Sequence, residues 1–281
     1  MAHFIHRFCL CILLLTTAAC ASKTPLQVEG LADTGKQYTS TLKKVNSFAL
    51  DHTLEFTADL LPNLPRDNTT LQQHTDAMRQ RAALVQTTAN YFDTQALYFA
   101  ELSALAKGDH STGTTRALKK LVEALNKAPD VGGIPRVTKD AVAGIAGHVA
   151  SWKHSAQVRD ELLRSAEPVA QALLTNQLIL DEQIQWITQR ETLARQLEYR
   201  EEVQKPFVGD KKLPERWKKA WMADITQPPT IELLEQAKAA SIEMQQAWVN
   251  VLRGEGSFEH LRSVFDQINI NIAAAHNHDP K

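Results

Sequence analysis

Metal binding is the first chemistry to consider, because two histidines and a carboxylate lie close together near the end of the chain. His276, His278 and Asp279 fall within four residues of one another. A metal ion needs ligands that are held in a defined geometry, whereas the last residues of a chain are usually frayed. The sequence therefore predicts no metal at this tail and no cofactor elsewhere.

Motifs that carry catalysis are absent from the sequence. It contains no His-Glu-x-x-His, Cys-x-x-Cys, phosphate-binding loop or Gly-x-Ser-x-Gly pattern. We therefore expect the protein not to be an enzyme. The alternative is a hydrolase whose site is assembled only in three dimensions from scattered histidines and carboxylates, and a structure without a cleft of converging polar groups would remove that option.

Three polar residues fall on the apolar faces of helices that the spacing predicts: His52, His74 and Arg81. They could form a buried polar site or a pH-sensitive contact. Alternatively, each lies near the rim of a bundle with its polar tip solvated or bonded to backbone, and such residues often serve only to fix the register of packed helices. We favour the second interpretation, and no enzyme follows from these residues.

Aromatic and cationic residues alternate in one segment, LPERWKKAW. Trp217 and Trp221 are four apart and share a helical face, and Lys218 and Lys219 lie between them. Aromatic rings flanked by cations suit a lipid headgroup region or an acidic partner. A short helix that caps the bundle with its tryptophans would look the same, and we favour capping. These four residues are the candidate interaction surface.

Small apolar residues dominate another segment, residues 140–152 (DAVAGIAGHVASW). A sheltered apolar helix of this kind resembles the membrane-inserting element of α-helical pore-forming toxins, since Gly144 and Gly147 permit close helix packing. Its apolar part, about twelve residues, is shorter than the roughly 20 needed to span a bilayer. A closely packed core helix is the favoured interpretation.

The amino terminus has the pattern of an export signal. Arg7 precedes an apolar run, residues 8–15, that is too short to span a membrane and suits the core of a signal peptide. The following TAAC, residues 17–20, resembles the lipobox of bacterial lipoproteins, although Thr17 stands where the lipobox usually has leucine. The resemblance implies that residues 1–19 are removed and that Cys20 is acylated. The alternative is an ordinary secretory signal that leaves Cys20 as a plain thiol.

Cysteine usage favours the lipoprotein interpretation. The three cysteines are Cys9, Cys11 and Cys20, so cleavage before Cys20 leaves no other thiol. A lone thiol in an oxidising compartment invites pairing between molecules, and acylation removes that hazard. Ala21 after the cysteine, by resemblance to lipoprotein sorting in Gram-negative bacteria, implies an outer-membrane location facing the periplasm. Residues 20–27 would then be the acylated cysteine and a short tether.

Composition predicts an all-α protein with a proper core. The chain has 281 residues, of which 43% are hydrophobic and 6% aromatic, with Ala, Leu, Gln, Glu, Lys and Arg recurring throughout. The net charge of -1 gives no field that would attract nucleic acid, and no nucleic-acid partner is expected.

The spacing of apolar residues predicts two long helices in the first part of the chain. From Leu31 to Leu60, the residues of one predicted apolar face recur at intervals of four and three residues. A second series with the same intervals follows the candidate N-caps at residues 67–70. Because Pro62 and Pro65 stop the first helix, the two form an antiparallel hairpin over about residues 28–107, which is expected to be the longest pair. The better-buried end is expected to be the second half of the second helix.

Shorter patterns complete the bundle. Helices are expected over residues 115–128, 214–223, 230–253 and 257–275, and another from Pro168, placed at its first turn, to about residue 203. Val122 and Ile242 are expected to face inward. The fold class is thus an elongated all-α bundle of antiparallel hairpins over residues 28–281, with the best candidate for an internal boundary near 204–229.

The expected function is that of a non-enzymatic cell-envelope lipoprotein that presents a helical bundle for protein–protein interaction. It would bind the membrane through its lipid anchor and serve a protein partner as an adaptor, assembly factor or accessory subunit. The bundle loosely resembles other all-helical envelope lipoproteins. The alternative is a membrane-active, pore-forming-like protein that uses residues 140–152.

Overall fold

A computed structural model of the chain describes residues 23–109, 112–127, 155–209, 212–225, 229–253 and 258–277. Within these ranges the chain forms eight α-helices and no strand, so the all-α bundle is confirmed. The helices are α1 (Lys23–Leu60), α2 (Asn68–Ala106), α3 (Gly113–Leu125), α4 (Ala156–Glu198), α5 (Lys205–Gly209), α6 (Trp217–Ile225), α7 (Pro229–Leu252) and α8 (Glu259–Asn277).

The first two helices form the predicted antiparallel hairpin. α1 ends at Leu60 and a 3-10 turn, Leu61–Asn63, contains the first of the two prolines. Asp67 caps α2 by accepting a hydrogen bond from the Thr70 amide at 2.8 Å. The second half of α2 is the better buried, as expected, because Tyr91, Tyr98 and Leu105 widen its apolar face.

α4 corrects one prediction. Pro168 does not begin a helix but lies inside a helix of 43 residues, which is also the longest single helix, since α1 and α2 have 38 and 39. A proline inside a helix removes one hydrogen bond and costs about 3 kcal/mol. Buried residues on both sides, Leu162 before it and Leu173 after it, pack into one core and keep the helix continuous.

Hydrogen bonds between helices show how they are arranged. α4 runs parallel to α1, because Asn176 donates to Tyr38 and, seven residues on, Gln183 donates to Asn46. The Trp248 Nε1 atom of α7 donates to the Ala166 carbonyl of α4 at 3.1 Å. Lys238, earlier in α7, pairs with Asp181, later in α4, so the two helices are antiparallel. α8 then packs along α1, so the C-terminal pair lies back along the N-terminal hairpin as predicted.

Aromatic rings fill the centre of this bundle, and one glycine makes room for them. The largest fully buried side chains of the described residues include Trp248, Tyr38, Phe92 and Phe99. Gly35 of α1 lies directly against Phe99, and a Cβ atom at this position would be 2.5 Å from the ring. The absence of a side chain at Gly35 therefore lets α1 and α2 approach closely.

Two residues expected to face inward do not. Val122 on α3 and Ile242 on α7 are both 38% exposed. In α3 the buried face is made by Thr114, Ala117 and Leu121, a narrower stripe than the apolar spacing suggested. Ile242 follows the buried Ser241 and lies outside the stripe that α7 presents to α4.

Candidate functional site

The predicted interaction surface lies where α4 ends. A π-helical segment, Tyr199–Gln204, follows α4, and α5 begins directly after it. Pro206 lacks the amide hydrogen that a regular helix would use, which accounts for the change of helix geometry here. α6 folds back onto this segment, and the Trp217 Nε1 atom donates to the Val203 carbonyl at 3.0 Å. Trp217 is thereby fixed in one orientation.

Three aromatic rings form a continuous stack around this anchor. The rings of Phe207 and Trp217 lie 5.6 Å apart, and those of Trp217 and Trp221 lie 6.0 Å apart with an angle of 5° between their planes. The four-residue spacing of the tryptophans on α6 places the second pair parallel to each other, with the rings offset. Trp217 is half-buried in the middle of the stack.

The outer side of the stack is an exposed apolar surface. Val208 is 80% exposed, Phe207 64%, Met222 53% and Trp221 42%. Lysines occupy three exposed positions of the same segment, 212, 218 and 219. The aromatic–lysine surface is defined by the following residues: Phe207, Val208, Trp217, Trp221, Met222, Lys212, Lys218 and Lys219.

Charges around the aromatic–lysine surface are only partly balanced. Glu201 binds Arg200 and Lys205, and its hydrogen bond with Lys205 is the main reason that the pKa of this carboxyl is lowered. Glu202 pairs with Arg216 at 3.1 Å. Lys212, Lys218 and Lys219 form no ion pair in the part of the chain that the structure describes, and neither does the exposed Glu215, so positive charge predominates among the unpaired side chains described there.

The position of the aromatic–lysine surface follows from the parallel course of α1 and α4. The sequence separation between the two residues is nearly the same in the Asn176–Tyr38 and Gln183–Asn46 contacts. Extending this register along both helices places the end of α4 level with Leu60. α1 has 38 residues and is about 57 Å long. The surface therefore lies at the end of the bundle opposite to Lys23.

The sequence located this surface only in part. Trp217, Trp221, Lys218 and Lys219 lie together on it. Phe207, Val208 and Met222 were missed, because the first two follow a π-helical segment where no regular apolar spacing exists. The available signal for an irregular, exposed aromatic residue was the position of Phe207 directly after a proline.

A second polar site lies at the other end of α4. Glu161 has no exposed side-chain surface, and its Oε2 atom accepts from Arg164 at 2.7 Å, whereas Oε1 has no hydrogen-bond partner. Burial raises the pKa of Glu161, and Arg164 and the neighbouring Thr114 hydroxyl offset this only in part. Nothing in the sequence distinguished this glutamate from the solvated ones on the same helix.

A cleft of about 450 Å³ opens beside Glu161, lined by Leu105, Thr112, Thr114, Thr115, Gln157, Asp160 and Arg164. Ser165 is the hydroxyl nearest to the carboxylate in sequence, but it donates to the Glu161 main-chain carbonyl at 2.7 Å. An activated nucleophile would instead be hydrogen-bonded to a base. The cleft thus gathers polar groups, among them the Thr114 hydroxyl, which neighbours the Glu161 carboxyl.

The core contains a polar network whose members satisfy one another. Gln95 and Asn176 exchange hydrogen bonds at 2.8 Å, Asn176 also donates to the Tyr38 hydroxyl, and that hydroxyl contacts Ser241. Burial raises the pKa of Tyr38 far above its usual range. Because these contacts join four helices at one level, they fix the register of the bundle.

The other polar residues of the predicted seams are half-buried. His52, His74 and Arg81 all have intermediate exposure. The Arg81 guanidinium lies 4.5 Å from the centre of the Trp186 ring, a cation–π contact between α2 and α4.

Several predicted features lie outside the described residues: Cys20, residues 140–152, and the tail with His278 and Asp279. In the described ranges, no three His, Cys, Asp or Glu side chains are grouped as a metal site would require. The helices described do not include one with both the length and the apolar character needed to cross a bilayer.

No protein-family model, curated protein or solved structure matches this chain. The fold and the surface define an all-α bundle with an exposed aromatic–lysine surface at one end.

Proposed function

We propose that this protein is a non-enzymatic lipoprotein of a bacterial cell envelope, held at the membrane through Cys20, which presents its helical bundle to a protein partner. It would act as an adaptor, assembly factor or accessory subunit. The observation that carries this proposal is the aromatic–lysine surface, which exposes four large apolar side chains at the end of the bundle opposite to Lys23.

Such a surface is suited to binding. Contiguous exposed apolar residues on a soluble domain commonly mark interaction sites, and tryptophan is enriched among residues that dominate binding energy. Trp217 is held by the Val203 carbonyl and by stacking with Phe207 and Trp221, so little side-chain freedom remains to be lost on binding.

A photo-crosslinking residue at Met222 tests the proposed contact in living cells. Met222 is 53% exposed on the aromatic–lysine surface, and Ile270 on α8, 59% exposed and away from it, is the matched control. We expect a discrete protein adduct from position 222 and none from position 270. Equal labelling from both positions, or none from either, would contradict the proposed function.

The proposed anchor has its own test. Mass spectrometry of the native protein should find residues 1–19 removed and Cys20 acylated, and Cys20→Ala should release the protein from the membrane fraction. Retention of residues 1–19, or an unacylated native protein in the cytosol, would contradict the anchoring.

A further inference from the structure

We propose that the segment that docks on the aromatic–lysine surface has an apolar centre and an acidic rim, and that Lys218 and Lys219 recognise its carboxylates. This inference rests on the proposed function and deepens it, because it assigns the chemistry of the partner.

The charges of the aromatic–lysine surface carry this assignment. The glutamates at positions 201 and 202 are each held in ion pairs with neighbouring cations. Lys218 and Lys219 are exposed and have no acidic partner within the described ranges. A partner with carboxylates at its rim would supply the missing charge, and complementary rim charges favour the correct encounter and register.

The apolar part of the surface indicates that the centre of the docking segment is apolar. Trp221 is 42% exposed although its ring is stacked with that of Trp217, so part of the indole is available to a partner. Phe207 and Val208 extend the apolar area on the side of α5. An amphipathic segment that lays apolar side chains along this strip would bury it, with its polar side facing the lysines.

A protein segment fits the surface better than a lipid bilayer does. Anionic lipids are recognised by clusters of about four to eight Lys or Arg residues, and it is the position of the surface, rather than its charge, that argues against a bilayer. The surface is about 57 Å from the end of the bundle that the proposed anchor would hold at the membrane.

The experiment begins with the adduct from position 222, whose partner peptide is mapped by mass spectrometry. The charge reversal Lys218→Glu with Lys219→Glu is then compared with Lys119→Glu and Lys120→Glu, an adjacent and also exposed lysine pair on α3, of which Lys119 forms a solvent-exposed ion pair with Glu123. We expect the first pair to weaken binding of the purified mapped partner about tenfold and the control pair to leave it unchanged. Thermal unfolding of both variants checks that the fold is intact.

Charge exchange completes the test. Replacing the acidic residues of the mapped segment by lysine should restore its binding to the Lys218→Glu, Lys219→Glu variant. A mapped segment without acidic residues, or failure of this restoration, overturns the inference and leaves the proposed function standing. Adducts only to lipid, together with binding of the protein to vesicles of phosphatidylglycerol and phosphatidylcholine that the charge reversal abolishes, would assign the surface to the membrane and overturn both.

Discussion

Aromatic residues are used in two different ways at the centre and at the end of this bundle. Around Phe99 and Trp248, the rings are fully buried and meet edge to face, with centres 6.4 Å apart. Around Trp217, the rings are stacked nearly parallel and one side of the stack faces solvent. The first arrangement stabilises the fold, whereas the second holds rings rigid without burying them, which suits contact with another molecule.

Among substitutions in the two regions, Trp248→Ala is expected to have the largest effect on stability. Trp248 is fully buried and its indole nitrogen donates to the Ala166 carbonyl, so its removal leaves a cavity and loses that hydrogen bond between α7 and α4. We expect a loss of about 4 kcal/mol in the free energy of unfolding, measured by urea denaturation. Trp221→Ala, its matched control, should cost less than about 1 kcal/mol. Equal losses would contradict the comparison.

Asn176→Ala should have the next largest effect. It removes the amide that links Gln95 to the Tyr38 hydroxyl and leaves buried polar atoms without partners. The expected loss is about 2–3 kcal/mol by the same measurement. The exposed Gln246→Ala on α7 is the control, and it should change stability by less than about 0.5 kcal/mol.

Glu161→Gln should change how stability depends on pH. Burial raises the folded-state pKa of Glu161 above its unfolded value, so the folded state binds a proton more readily. The stability of the natural protein should therefore rise as pH falls from neutral towards the raised pKa, and Glu161→Gln should be more stable at neutral pH and lack this part of the dependence. Unfolding titrations across pH, with the exposed Glu167→Gln as control, measure the difference. Identical pH profiles for the two variants would contradict it.

The smallest effect on stability is expected at the surface. Lys218→Ala with Lys219→Ala removes exposed charges that make no ion pair in the described part of the chain, and the free energy of unfolding should change by less than about 0.5 kcal/mol. The same variant should lower the adduct yield from position 222. A large loss of stability would show that the lysines support the fold.

Local signals in the sequence were enough to place most helix ends. Pro62 stops α1 and Asp67 caps α2, because both effects act within one turn of the helix. Pro168 shows the limit of such signals. The preference of proline for the first turn of a helix is outweighed by the packing of the residues on either side of Pro168. This packing cannot be read from the sequence.

The functional surface was predicted where helical periodicity holds and missed where it does not. Trp217 and Trp221 share a face of α6, so their spacing alone brings them together. Phe207 reaches Trp217 only because the chain turns back after α5. The burial of Glu161 was beyond prediction for a similar reason, since its surroundings come from α2 and α3 as well as from α4.

The parallel indoles of α6 also give this protein an intrinsic optical reporter. Trp221 emits from a partly solvated environment, and covering its free face would shift its fluorescence to shorter wavelength. The half-buried ring of Trp217, stacked with Phe207 and Trp221, would change less. Occupancy of this end of the molecule can therefore be followed by the emission spectrum, with Trp221→Phe as the silent reference and no added dye.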